Sequence, residues 1–191
     1  MLVKAFRKGR WAGVSAAVLV VFSGVSCSSG ADSAEREYAL PETLCSLPVD
    51  QELFSDLLPP GEVLEITGDE FSSVWWYSCA VSVDGEVALY VRVRAADDSD
   101  PSNYLLGPHE YEMSDGEEIP GEYETVVWPH AAVARGTCDN TGAETGYQEN
   151  VGTHAITLET LFPEDDEESA ALVRELITPL VEADRARIGC R

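Results

Sequence analysis

Five cysteines and three histidines hold most of the reactive side chains of this 191-residue chain. Cys45, Cys79, Cys138 and Cys190 lie far apart, with no CxxC element among them. Zinc sites and redox dithiols use closely spaced thiols, so this spacing speaks against both. Disulfides suit an even number of cysteines in an exported chain. Four thiols allow three pairings. The spacing favours Cys45–Cys79 and Cys138–Cys190, since each bridge would tie neighbouring elements. Each loop would hold tens of residues, and its closure would contribute about 4 kcal/mol by restricting the unfolded chain.

The histidines offer less. His109 lies in a Pro-flanked acidic loop, His130 follows Trp128-Pro129, and His154 falls in strand-like sequence. A Ser-His-Asp enzyme needs a nucleophile placed against a base, and the chain has no G-x-S-x-G elbow. All three therefore read as ordinary surface or strand histidines. Glu117-Glu118 and Glu122/Glu124 could be paired carboxylates, but among 35 acids such pairs arise by chance. "DDSDPSN", from Asp97 to Asn103, gathers oxygen ligands without the spacing of a calcium loop, and reads as a solvated turn. No catalytic residue, metal site or cofactor is assigned. Trp75 and Trp76 are adjacent, so on a strand they must face opposite ways. Trp75 goes to the core, which leaves Trp76 beside Arg92 as a cation–π pair. With Arg94 these residues form a candidate binding surface.

The segment around Cys27 is of another kind. Lys4, Arg7, Lys8 and Arg10 precede an apolar run from Trp11 to Phe22, and small residues lead to Cys27. A basic head, a short apolar stretch and small residues describe an export signal over residues 1–26. The run is shorter than the ~20 residues a bilayer span needs. Gly24-Val25-Ser26-Cys27 resembles the lipobox of bacterial lipoproteins, with Gly24 standing where that family usually has an aliphatic residue. The resemblance implies cleavage before Cys27 and acylation of its thiol, hence a membrane anchor on the outer face of the cell. Cleavage after Ala31 is the alternative, and would give a freely secreted protein. Loss of residues 1–26 removes four of 12 basic residues and none of 35 acids, leaving eight arginines and a formal charge of −27. Nucleic acid is excluded as a partner for want of a basic footprint. Dispersed acid of this kind keeps an exported domain soluble.

These residues must be positioned by a small number of elements. Residues 27–40 read as the modified cysteine and a flexible tether, and 41–191 as a single domain. Asp50 can cap a helix running to Leu58, with Leu53, Phe54, Leu57 and Leu58 on one stripe and Pro59-Pro60-Gly61 as the stop. Glu62 to Thr67 is strand-like. Val74 to Ala95 reads as a hairpin about Asp84-Gly85. A three-residue loop pairs Val81 with Val87, Cys79 with Leu89, Tyr77 with Val91 and Trp75 with Val93, and gathers the apolar residues on one face. A two-residue loop would scatter them. Tyr123–Trp128, Ala131–Cys138 and Val151–Leu161 are further strands, and Asp139–Asn150 a loop. From Asp165 onward, Leu172, Val173, Leu176, Ile177, Leu180 and Val181 fall on one helical stripe, with Pro179 predicting a kink or an early stop. The expected fold is α+β: an antiparallel sheet with a short N-terminal helix and a C-terminal helix packed on one face.

The lipobox-like start, "LPETLCSLPVD" before a short helix, "YSCAVSVDG" in a hairpin and a terminal helix ending in "IGC" resemble the small exported lipoproteins of unknown function common in actinobacteria. Some of those are similar to the Mog1/PsbP-type α+β fold. The resemblance brings no catalytic residues. The export signal, together with the missing catalytic signatures, points to a lipid-anchored, non-enzymatic module at the cell surface that binds an envelope protein or small ligand. The alternative is an envelope hydrolase whose site assembles from scattered histidines and carboxylates.

Overall fold

The computed structural model describes residues 35–68, 76–96, 111, 113–140 and 152–191. Cys27, Trp75, the Asp97–Asn103 run, His109 and nearly all of the loop after Asp139 lie outside them.

Asp50 opens the first helix, α1 (Gln51–Phe54), by accepting a hydrogen bond from the Glu52 amide at 3.0 Å. The helix tightens into a 3₁₀ turn over Ser55–Leu57, so the expected run to Leu58 closes as a narrower coil. Phe54, Leu57 and Leu58 are buried. Before α1 the chain makes a tight turn, with Leu44 and Leu47 exchanging backbone hydrogen bonds at 3.0 and 2.9 Å. Its two central residues, Cys45 and Ser46, are both left-handed (φ 54° and 61°), a conformation that disfavours a Cβ. The Cys45–Cys79 bond, with Cα atoms 5.8 Å apart, staples this turn to the sheet. Residues 36–40, read from sequence as the end of the tether, are tied to the body. Arg36 donates to the carbonyls of Ser55 and Leu58, and Tyr38 Oη to that of Pro59.

The sheet comprises β1 (Leu64–Thr67), β2 (Trp76–Val83), β3 (Glu86–Ala96), β4 (Glu117–Ile119), β5 (Glu124–Trp128), β6 (Ala131–Thr137) and β7 (Thr153–Thr160). All neighbours are antiparallel, in the order β1-β2-β3-β7-β6-β5-β4. The last strand therefore lies at the centre of the sheet, between β3 and β6.

The β2–β3 register corrects the expected one. Asp84 and Gly85 both take positive φ (52° and 84°), as a two-residue hairpin turn requires. Val83 faces Glu86 and Ser82 faces Val87. A bulge then absorbs Ala88, and Val81 faces Leu89, Cys79 faces Val91 and Tyr77 faces Val93. The bulge restores the apolar face that a plain two-residue loop would scatter. Ala88 has its own use: its carbonyl accepts from the Leu161 amide at 2.7 Å and from Thr160 Oγ1 at 3.2 Å. One consequence is that Trp76 stands opposite Arg94, and Arg92 opposite Ser78.

The long helix α2 (Asp166–Ile188) begins at Asp165, whose carboxylate accepts from the amides of Glu167 and Glu168. Acids in its first turn and Arg185 and Arg187 in its last suit the helix dipole. Gly189 ends it in the left-handed conformation, with the Cys190 amide returning to the Arg185 carbonyl at 2.9 Å. Pro179 does not end the helix. Leu176, Ile177, Leu180 and Val181 are buried on both sides of it. At about 1.5–3 kcal/mol per buried aliphatic side chain, their burial outweighs the ~3 kcal/mol that an internal proline costs. The stripe packs on β5, β6 and β7, and α1 packs beside it on the same face.

The second disulfide, Cys138–Cys190, joins the exit of β6 to the end of α2 across 52 residues of chain, with Cα atoms 4.8 Å apart. Replacing both cysteines by alanine is expected to lower the free energy of unfolding by about 4 kcal/mol. Urea titration with and without reductant measures it: the double variant should keep its first bridge and so remain sensitive to reductant.

Candidate functional site

Alternation along the strands sends Tyr77, Cys79, Val91, Val93, His154, Ile156 and Leu158 to the helix side. The opposite face carries Trp76, Ser78, Tyr90, Arg92, Arg94, Thr157 and Glu159. Toward β5 and β6 this second face is covered. Tyr111 lies against Trp128, ring centroids 5.4 Å apart, over Val126, Ala131, Val133 and Ala155. Burial, then the charges of Glu159 and Asp166, raise the Tyr111 phenol above its ordinary pKa.

Toward β2 the same face is open. Trp76 is 60% exposed, unusual for so large an apolar side chain. Arg94 is its cross-strand neighbour, and Arg92 follows two residues along the same face. Arg92 does not stack on Trp76 as expected. It lies over the Tyr90 ring at 4.5 Å and pairs through Nη1 with Glu159 Oε2 at 3.0 Å. Glu159 is only 2% exposed, and its second oxygen, Oε1, has no hydrogen-bond partner among the described residues. A carboxylate so placed needs its arginine, because burial of an unpaired charge is costly. Trp76, Ser78, Arg92 and Arg94 surround a hollow of about 130 Å³.

Sequence reading missed one constellation on the helix side. His154 Nε2 hydrogen-bonds Asp184 Oδ2, and both residues are fully buried. Arg187 Nε donates to Asp184 Oδ1 at 2.7 Å, and its guanidinium lies 5.9 Å from the Tyr77 ring centroid. Burial alone would raise the Asp184 carboxyl, but the hydrogen bond and charge of His154 and the charge of Arg187 outweigh it. The net shift is downward from the ordinary 3.8. The signal was present in the helix: Asp184 follows Leu180 by four residues and Val181 by three, so it continues the apolar stripe. A charge on a buried stripe implies a partner on the facing strand.

His130, at the turn between β5 and β6, pairs with exposed Asp166 through Nε2 at 2.9 Å. It borders a hollow of about 250 Å³ with Thr160, Leu161 and Glu164. Neither His130 nor His154 is hydrogen-bonded to a hydroxyl among the described residues. Among those residues no three His, Cys, Asp or Glu side chains gather closely enough to hold a metal ion. No helix among them is long and apolar enough to cross a membrane. The two disulfides are those of a chain that folds in an oxidising compartment. Together these features define an α+β protein with one half-open sheet face. Comparison with family models, curated proteins and solved structures finds no match to the chain.

The His154–Asp184 pair serves as a tie between helix and sheet. Asp184→Asn should cost about 3–5 kcal/mol at neutral pH, because it removes the buried carboxylate that both His154 and Arg187 hydrogen-bond. A carboxylate with a depressed pKa contributes stability above its unfolded value of 3.8, and that contribution is lost as pH falls through the folded value. Urea midpoints of the two proteins should therefore converge as pH drops below that value. A gap that stays constant with pH would contradict the assignment.

Proposed function

We propose that this chain is a cell-surface binding module, exported by residues 1–26 and held at the membrane by a lipid on Cys27, in the manner of the small lipoproteins it resembles. Recognition is assigned to the open sheet face. The observation that carries this is Trp76, 60% exposed and directly across from Arg94, at the edge of a hollow that Arg92 and Ser78 complete. An exposed indole offers a flat surface to a ring, and guanidinium groups offer paired donors to a carboxylate or phosphate. An acidic group on a ringed scaffold, such as an acidic sugar, is the chemistry this face fits. The paired arginine and glutamate behind it, Arg92 and Glu159, hold the guanidinium in place.

Binding is favoured over hydrolysis because the buried His–carboxylate pair among the described residues, His154–Asp184, is sealed from solvent, and a substrate cannot reach it. Among the described residues, His130 and its exposed carboxylate Asp166 have no nucleophile in hydrogen-bond contact.

Two measurements test this reading. The intact mass of protein extracted from membranes should equal that of the chain from Cys27 onward plus acyl groups, with both disulfides oxidised. Tryptophan fluorescence titrated with a carboxylated polysaccharide, polygalacturonate, should shift, while neutral dextran should leave it unchanged. Trp76→Ala and Arg94→Ala should each weaken the carboxylated ligand about tenfold, the worth of one good charged or stacking contact. Equal responses to both polymers would remove the open face from consideration.

A further inference from the structure

A second concavity lies at the other end of β2 from Trp76. The Pro59-Pro60 corner, the Asp84-Gly85 turn and the segment leaving β7 enclose about 640 Å³. Small-molecule sites fall at about 300–1,000 Å³. Part of its wall is apolar: Pro59, Pro60, Val87, Leu161 and Phe162. Leu161 is 38% exposed, a branched aliphatic left uncovered where the strand gives way to the helix. The charged residues that line it are Asp84, Glu86 and Glu164, and none of the lining residues is basic. Asp84 is committed, accepting from the amides of Glu62 at 3.1 Å and Val63 at 2.8 Å, which fixes its charge in place. Glu86 and Glu164 form no ion pair or hydrogen bond among the described residues. Leu161 and Glu164 also line the hollow beside His130.

Apolar walls ringed by carboxylates of one sign have a complement of definite chemistry. We propose that this groove binds an organic cation: an ammonium or guanidinium group carried on an apolar body. The body lies on Pro59, Pro60, Leu161 and Phe162, and the cation is held between Glu86 and Glu164 by charge-assisted hydrogen bonds. The exported chain, at the formal charge of −27 left by loss of residues 1–26, attracts such ligands from a distance. This site is independent of the Trp76 face, which fits ligands of the opposite charge.

Three probes of matched shape separate charge from apolar contact: phenethylammonium, neutral 2-phenylethanol and anionic 3-phenylpropionate. Each is titrated into the exported chain at low salt, with amide chemical shifts as the readout. Phenethylammonium should shift the amides of Val87, Ala88 and Leu161 saturably, and the other two probes should bind at least about tenfold more weakly. The double variant Glu86→Gln/Glu164→Gln should weaken the ammonium about fivefold, in keeping with exposed ion pairs. Both residues are exposed, so the variant should keep the parent's spectrum elsewhere. Trp76→Ala should leave this titration unchanged. Equal affinity for the three probes, shifts confined to other parts of the chain, or an unaltered double variant would each overturn the proposal.

Discussion

The buried aliphatics of α2, Val173, Leu176, Ile177, Leu180 and Val181, have one surface to cover, the face of the sheet built by β5, β6 and β7. That single burial sets most of what surrounds it. Ala132 and Ala134 on β6, fully buried, keep the sheet surface low where the helix crosses. Larger Ile156 and Leu158 on β7 fill the adjoining space. The helix spans its proline because breaking there would expose residues on both sides. With one long helix and one short one on the same side, the other face of seven strands must find cover elsewhere or remain open. Tyr111 covers one part of it, and the Trp76 end stays exposed.

Polar groups sit at the margins of this arrangement, and their accessibility sorts them by role. His154 and Asp184 lie under the last turns of α2, closed from solvent, and hold the helix in its place over β7. Arg185 adds a bond to the carbonyl of Thr137 on β6, and its guanidinium lies 5.4 Å from the Tyr123 ring centroid. Gly136 permits that approach, since a Cβ there would come within 3.0 Å of the Tyr123 ring. Arg92 and Glu159 occupy the far face, largely buried and anchored to each other.

Features governed by neighbours in sequence were legible before the structure. Asp50 and Asp165 announced their helices by type and position, and both cap. The Asp84-Gly85 pair marked its turn, and the alternation around it assigned the inner face correctly. The bulge at Ala88 was not legible, because its reason is tertiary: the carbonyl it turns out serves Thr160 and Leu161, more than seventy residues away. The expected register sets Trp76 beside Arg92, and the observed one moves its partner two residues on, to Arg94. Three-residue β4 carries too little pattern to be read, and it exists because Glu117–Ile119 finds an edge on β5. The early stop that Pro179 offers as one alternative does not occur, because burial on both sides of it opposes local propensity. His154 looked ordinary because its partner lies thirty residues on, at a helical position whose meaning appears only when the stripe is followed past Val181.

The bond between Cys138 and Cys190 makes a covalent ring of the chain from the end of β6 to the end of α2. Inside that ring lie α2 and β7, the helix that covers the core and the strand that joins the two halves of the sheet. Tension applied at the C-terminal residue passes through sulfur directly to β6 and bypasses both. A pull on that end therefore cannot peel away the last two elements in turn. The load enters the sheet at the exit of β6 instead.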